Sequence, residues 1–421
     1  MTYSVQNKQG LELNRFYEED LPIHDWYRFI LSYPPHLVRN YVNEFNLNEN
    51  HTVLDPFCGT GTTVVECKKM GVKSVGLEAN PLAQLAGKVK IDWNIDGNEL
   101  VEVAKEIAQK ALEKINEETS LRTLSEEKQK LIIKNSISEL PLHKTLILCE
   151  VLEDYDKCRY YDHLKLALAK QIVFSYSNLK FGPEVGVSRK KKQDADVVGL
   201  WIKQVENMST DLQQYQTFSA VESEVILGDA RDIKDNIPKA SIDAVITSPP
   251  YPNEKDYTRT TRLESVILGY VNTKAELRAN KEKLLRSNTR NVYVKDDDEK
   301  WVKDNKTIQS LVRKIEDKRI ELNKTSGFEK YYHRVVELYF GGIARHLESL
   351  KSLLKPNAKL AYVVGDQASY FRVLIKTGEI IAEVATDLGY KVERIDLFRT
   401  RISTVTGEQL KEEVVILSWE G

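Results

Sequence analysis

The sequence holds little cysteine, no long apolar run and no surplus of charge of one sign, and each lack narrows what the chain can be. There are four cysteines, Cys58, Cys67, Cys149 and Cys158. They show neither the paired spacing of a zinc site nor the density of a disulfide scaffold, so reduced thiols, no bound metal and a reducing compartment are expected. No window reaches the roughly 18 uninterrupted apolar residues of a membrane span. The opening MTYSVQNKQG lacks the basic and apolar regions of a secretion signal, so a soluble, cytoplasmic protein is expected. Lysine and arginine total 61 against 63 acidic residues, a formal charge of -2. No global positive field announces a nucleic-acid partner, and any such face must be local.

What is present is enough chain for more than one minimal domain. The 421 residues, 41% of them hydrophobic, bury at least one large core and leave room for inserted parts. An apolar strand over His51–Leu54 runs into DPFCGTGTT, and TTVVECKKMG then has helical spacing up to Gly71. A second strand, Ser74–Leu77, ends at Glu78 before the helical NPLAQLAGKVKIDW, which gives a βαβα start of a doubly wound sheet. From about 97 to 222 the pattern turns to long charged amphipathic helices with almost no strand signal. Strands resume at Glu224–Leu227 and Asp243–Thr247. A second polar, helix-rich excursion, including KDDDEKWVKDNK, precedes three C-terminal strands, KLAYVVGD, YKVERIDLFRTR and EEVVILSW. The chain therefore divides into 1–96, the N-terminal segment and cofactor half of a core; 97–222, a helical insertion; 223–257, a further part of the core; 258–354, a second insertion; and 355–421, the last core strands.

The chemistry-bearing residues fall at strand ends. In Asp55, Pro56, Phe57, Cys58, Gly59, Thr60 and Gly61, the glycines let the backbone bend towards a ligand, and the helix beginning near Thr62 offers unpaired N–H groups to a carboxylate. No lysine follows the second glycine and no third glycine is present, which excludes a Walker loop and the dinucleotide pattern. The remaining reading is a loop for a nucleoside cofactor. Glu78, with Ala79 and Asn80 behind it, stands where an acid accepts from both ribose hydroxyls of an adenosine-containing ligand. Asp229, followed by Ala230 in GDARD, is suited to accept from an adenine amino group, or equally to form the turn itself.

Ser248, Pro249, Pro250 and Tyr251 follow the fourth strand. Two prolines fix an extended backbone and leave carbonyls unpaired. Such a turn presents acceptors and an aromatic face. It suits an exocyclic aromatic amine, whose delocalised lone pair is sharpened when a serine hydroxyl and a proline carbonyl accept its two N–H groups. Tyr251 would stack on a base extruded from a duplex.

Taken together, DPFCGTGTT and TSPPY resemble the paired signatures of the DNA amino-methyltransferases. The likeness covers Trp26 to about Trp93 and Glu224 to Tyr257. It implies a Rossmann-like seven-stranded α/β core, which the two largely helical insertions, themselves outside the likeness, interrupt; S-adenosyl-L-methionine as cofactor; and double-stranded DNA as substrate. It assigns Phe57, Gly59 and Gly61 to the cofactor loop, Glu78 to ribose, Asp229 to adenine and Ser248–Tyr251 to the target amine. WYRFILSYPPHLV resembles the family's element before the loop, so that Ser32, Tyr33 and Pro34 would wrap the methionine end. A serine heading SPPY is similar to the enzymes that methylate N4 of cytosine, adenine N6 being the alternative. A cognate restriction endonuclease is a candidate partner.

Further substrate contacts are expected on either side of that turn. Arg189, Lys190 and Lys191 in SRKKKQ form either a solvated basic loop or a set of phosphate contacts. Arg259 and Arg262 are placed to reach phosphates or a guanine edge, or to bridge along a helix surface. Asn253 lies in the same run, and Asp256 is a candidate acceptor for the departing proton. The roughly 190 residues between the two motifs exceed any short crossover. Competing readings are an RNA or protein amino-methyltransferase with the same chemistry, and an inactive DNA-binding regulatory subunit.

Overall fold

The computed structural model describes residues 15–29, 32–181, 185–233, 237–253, 255–403 and 407–421. The opening MTYSVQNKQG, on which the reading of a missing secretion signal rests, lies outside the described residues. Nine strands are found among them: β1 (Thr52–Asp55), β2 (Lys73–Glu78), β3 (Leu179–Phe181), β4 (Val185–Val187), β5 (Ser223–Leu227), β6 (Ile242–Thr247), β7 (Leu354–Gly365), β8 (Lys391–Ile402) and β9 (Gln409–Trp419). Seven form one sheet in the order β5-β2-β1-β6-β7-β9-β8, and β3 pairs with β4 alone.

The first five strands of that sheet run parallel, and β9 runs antiparallel to both β7 and β8. This is the expected α/β seven-stranded core. Because parallel strands are covered on both faces, they read as apolar runs, and β6 (IDAVIT) is buried along almost its whole length. The chain progresses outward from β1 to β2 and β5 on one side and from β6 to β7 on the other. The topological switch point therefore lies between the carboxyl ends of β1 and β6, where open α/β sheets bind ligands.

Helix Thr62–Lys69 follows β1, and helix Pro81–Ile91 follows β2. Helix Gly97–Glu117 begins the first insertion, and its buried face (Leu100, Ala104, Ile107, Ala108, Ala111) keeps a 3.6-residue spacing. It packs with helices Glu139–Glu153 and Val197–Tyr215. The expectation of an almost strandless insertion needs one correction, the β3/β4 hairpin. These strands are three residues each, too short for a periodic signal. The second insertion contributes helices Lys306–Glu321 and Tyr332–Leu350, the latter packed against the short Asp298–Val302 turn of helix.

Candidate active site

A cleft of about 650 Å³ opens along the carboxyl ends of the parallel strands, within the roughly 300–1,000 Å³ usual for cofactor sites. Two halves of different build line it.

The first half grows from the loop after β1. Asp55, the last residue of β1, is fully buried and does not line the cleft. Its carboxylate accepts from Thr63 Oγ1 and Thr247 Oγ1, both at 2.6 Å, and from the Phe57 amide at 3.1 Å. It thus ties the ends of β1 and β6 together at the switch point. Burial pushes its pKa up to about 6 against the pull of these donors. Tyr33 joins the same cluster through Thr63 and Asp55, which anchors the segment before the loop.

Gly59 and Gly61 take positive φ angles of 54° and 92°. A Cβ on Gly61 would also meet Gly87 Cα at 3.1 Å, so the loop's left-handed turn lies directly on helix Pro81–Ile91. Gly61 is therefore part of the loop's support beneath the cleft. Pro56, Phe57, Cys58, Gly59, Thr60 and Thr62 line the cleft itself.

Glu78 lies across from the loop. Its two carboxylate oxygens accept from the Gly59 amide at 2.8 Å and the Asn80 amide at 2.7 Å. Burial raises its pKa to about 7. Ala79 and Asn80 also line the cleft, while the Asn80 side chain caps helix Pro81–Ile91 through the Leu82 amide. Ser32, Tyr33, Pro34 and Phe29 close the same end.

Asp229 and Ala230 line the cleft as well, but Asp229 is already engaged. Arg231 donates to it from its amide at 2.9 Å, from Nε at 3.0 Å and from Nη2 at 2.6 Å. The turn-forming alternative for GDARD is thus realised here. Arg231 is in turn held by buried Asp298 at 2.7 Å. Ala230 offers its carbonyl to His346 Nδ1 at 2.7 Å, and His346 Nε2 meets Tyr362 Oη at 2.7 Å. Since a carbonyl only accepts, Nδ1 carries the proton and Tyr362 donates to Nε2. Burial lowers the His346 pKa to about 4, which keeps the ring neutral. Phe57 packs edge-on against that ring at 5.0 Å.

The second half is assembled from distant segments. Ser248, Pro249, Pro250 and Tyr251 all line the cleft at the end of β6. Ser248 Oγ donates to the Val363 carbonyl at 3.1 Å. The same hydroxyl is also hydrogen-bonded with the Tyr251 hydroxyl, and its remaining acceptor capacity is open to an incoming N–H. A Cβ on Gly365 would meet Tyr251 Cε2 at 2.9 Å and Glu412 Cγ at 3.1 Å, so only glycine at the end of β7 admits both groups. Asn253, Lys255, Tyr257, Phe398, Arg399, Arg401 and Glu412 complete this wall.

Several expected substrate residues stand elsewhere. Asp256 is buried, accepts from Lys281 Nζ at 2.6 Å and from Thr258 Oγ1 at 2.6 Å, and does not line the cleft. Against the effect of burial these donors hold its pKa below the usual carboxylate value, so in this structure it is an ion-pair partner of Lys281 set off the cleft wall. Arg262 turns back to Thr258 Oγ1 at 2.8 Å. Arg259 lies on the short helix Tyr257–Thr260, also off the cleft wall. In the first insertion Arg189 and Lys190 are exposed, and Lys191 folds onto the Ser188 carbonyl; none of the three lines the cleft.

A sequence model of the N6/N4 DNA methylase family matches residues 6–86. The chain is 27% identical over 416 residues to the type II methyltransferase M.BsoBI of Geobacillus stearothermophilus, covering 90% of this chain and 81% of that protein. It is 24% identical over 410 residues to M.AvaI of a Nostoc species, covering 89% and 80%. By these likenesses the chain is similar to the DNA amino-methyltransferases. Among solved structures, TrmN of Thermus thermophilus aligns over 91% of this chain and 48% of its own, at 9% identity and a TM-score of 0.30. The methyl donor of a DNA amino-methyltransferase is S-adenosylmethionine. The first half of the cleft has a lining that suits a cationic sulfonium compound: it carries Glu78 and Asp229, and Arg231 beside them is paired with Asp229 and Asp298.

Sequence reading missed Phe29, Arg231, His346, Gly365 and the wall formed by β8 and β9. Arg231 had a signal, since it directly follows the singled-out Asp229 and Ala230. Phe29 lay inside the singled-out WYRFILSYPPHLV, whereas His346, Gly365 and the β8/β9 wall gave no local signal, because their places depend on contacts with other segments, such as His346 with Ala230 and Gly365 with Tyr251.

Proposed function

We propose that the protein methylates the exocyclic amino group of a base flipped out of double-stranded DNA, N4 of cytosine being the favoured target and N6 of adenine the alternative. The observation that carries this reading is the Ser248–Tyr251 turn facing the cofactor half across one cleft, with the Ser248 hydroxyl hydrogen-bonded to the Val363 carbonyl.

S-adenosylmethionine supplies an electrophilic methyl group. The Gly59 loop and helix Thr62–Lys69 would receive its methionine end, with Ser32, Tyr33 and Pro34 closing over it. Glu78 would accept from the ribose hydroxyls. Asp229, oriented by Arg231, would accept from the adenine amine with lone pairs the guanidinium leaves open.

Ser248 Oγ and the Pro249 carbonyl accept the two N–H groups of the target amine and localise density on its nitrogen. Acceptors aimed at the charge that develops in the transition state are a large catalytic term. Tyr251 stacks on the base, as extrusion from the duplex requires. Holding nitrogen and methyl donor in one cleft supplies the proximity. The departing proton passes to solvent, Asp256 being closed off by Lys281. The insertion at 97–222 is proposed to supply DNA recognition and that at 258–354 DNA recognition or a lid, and a cytoplasmic location with a restriction partner fits the type II relatives.

The test is incubation of the protein with duplex DNA and methyl-labelled cofactor, followed by digestion to nucleosides and mass spectrometry. N4-methylcytosine is expected. N6-methyladenine would keep the mechanism and change the base, and a label found only in RNA or protein would overturn the reading.

A further inference from the structure

Net charge gives this chain no general attraction for a polyanion, so its phosphate contacts must be built locally. The basic run SRKKKQ is a poor candidate. Arg189 and Lys190 are solvated, and Lys191 and Lys192 are folded back onto the Ser188 and Ser175 carbonyls. A different cluster sits inside the cleft.

Arg399 and Arg401 lie on β8, past a slip in its register with β9 between Leu397 and Arg399. Such a bulge re-aims side chains at a sheet edge, and Phe398, Arg399 and Arg401 all reach the cleft wall. Arg399 Nε pairs with Glu412 Oε2 at 2.6 Å, and Arg401 Nε with Glu412 Oε1 at 3.3 Å. Arg401 Nη2 also donates to the Asp366 carbonyl at 2.7 Å. Lys255, four residues beyond Tyr251, lines the same cleft with no ion pair for its ammonium among the described residues. Burial lowers its pKa first, and the charge of Arg401 adds to the effect.

Two arginines thus share one carboxylate and Lys255 stands beside them unpaired among the described residues, leaving an excess of two positive charges on a partly buried wall. Glu412 and Tyr251 both pack on Gly365, so this charge borders the ring on which a flipped base would stack. A nucleotide swung out of the helix carries its own backbone with it. Its phosphate must then be neutralised near the stacked base, where water is partly excluded and charge is felt most strongly.

We infer that Lys255, Arg399 and Arg401, gathered around Glu412 beside Tyr251, form a site for a backbone phosphodiester of the DNA strand that presents the target base. The inference rests on the reading of the substrate as DNA and deepens it: Arg399 and Arg401 are held rigidly by Glu412, and Lys255 closes on the phosphate.

The test measures binding of a fluorescent duplex by anisotropy over a range of salt concentrations, with cofactor binding followed separately by calorimetry. In Lys255→Gln and in Arg401→Gln the slope of log affinity against log salt should each shrink by about 0.9, the change for one lost phosphate contact. KM for DNA should rise roughly tenfold with affinity for S-adenosylmethionine retained, as expected for a lost charged hydrogen bond. Lys255→Arg should restore the slope. Unchanged slopes in variants that still methylate DNA would overturn the phosphate site and leave the DNA reading standing. Loss of cofactor binding along with DNA binding would assign these residues to the fold and also overturn it. Failure of the unmodified protein to bind or methylate DNA would instead bring down the reading beneath it.

Discussion

The two halves of the cleft are built in different ways. The cofactor half is mostly local: the loop after β1, Glu78 at the end of β2 and the preceding Tyr33 are within about 50 residues of one another. Its geometry is enforced by short-range bonds such as Gly59 to Glu78 and Asn80 to Glu78. The acceptor half joins Ser248 to Val363, Tyr251 to Gly365 and Glu412, and Lys255 to Arg401. A motif can encode the first kind of site, whereas the second exists only once the sheet has closed. The difference teaches that the Ser248–Tyr251 turn is a local motif whose environment is largely long-range.

Substitutions can break this contrast. The largest effect should follow Ser248→Ala. Removing one preorganised group aimed at the reacting centre should lower kcat by about 10²–10³, while calorimetry finds cofactor affinity unchanged. An equal loss of cofactor affinity would mean that the halves are not separable.

Asp298→Asn should act on the opposite half from a distance. It removes the charge that pins Arg231 and contacts Arg345 at 3.1 Å. Breaking a buried pair of this kind costs about 3 kcal/mol, read as a lower midpoint in urea unfolding. Weaker binding of S-adenosylmethionine should accompany it, because Asp229 loses its clamp. Retained affinity would show that Arg231 does not set the position of Asp229.

Gly365→Ala sharpens the comparison at intermediate size. The new methyl would press on Tyr251 and Glu412, an overpacking cost of about 1–3 kcal/mol. Turnover on DNA should fall about tenfold with cofactor affinity retained, as measured by single-turnover methylation.

The smallest effect is a pH dependence centred on Glu78. Its carboxyl is raised to about 7 in the ligand-free protein from an ordinary value of 4.5. Its contribution to stability is therefore fully present below 4.5 and is lost as pH rises through 7. Cofactor binding has the opposite sign, since an ionised carboxylate accepts from both ribose hydroxyls and a protonated one does not. Affinity should weaken as pH falls from 8 to 6, by at most tenfold per unit. Glu78→Gln should flatten the profile, and a profile that stays steep would place the titrating group elsewhere.

Much of the fold was legible because apolar runs and turn residues report local backbone preference. All seven core strands were recognised, most with ends within three residues and β7 with its start five residues late, and so was the helical character of both insertions. The three-residue strands β3 and β4 escaped because no period can show in so few positions. Among site residues, the loop glycines and SPPY were legible because their conformations are properties of the residues themselves. Asp256 and Arg262, expected beside the substrate, lie off the cleft wall for the converse reason. A charged side chain near a catalytic turn looks the same in sequence whether it faces the substrate or, as here, Lys281 and Thr258.

By itself the amino-acid order determined the alternation of strand and helix, the turn chemistry at the ends of β1 and β6, and the residue types that a nucleoside donor and an aromatic amine require. These follow from backbone sterics and hydrogen-bonding capacity, which act over a few residues. Tertiary structure alone decided that Asp55 locks the two motifs together, that His346 is a neutral brace, that Arg231 is shared between Asp229 and Asp298, and that the basic wall comes from β8. Those outcomes depend on burial and on partners brought together by the sheet, and an electrostatic or packing interaction has no value until its neighbour is in place.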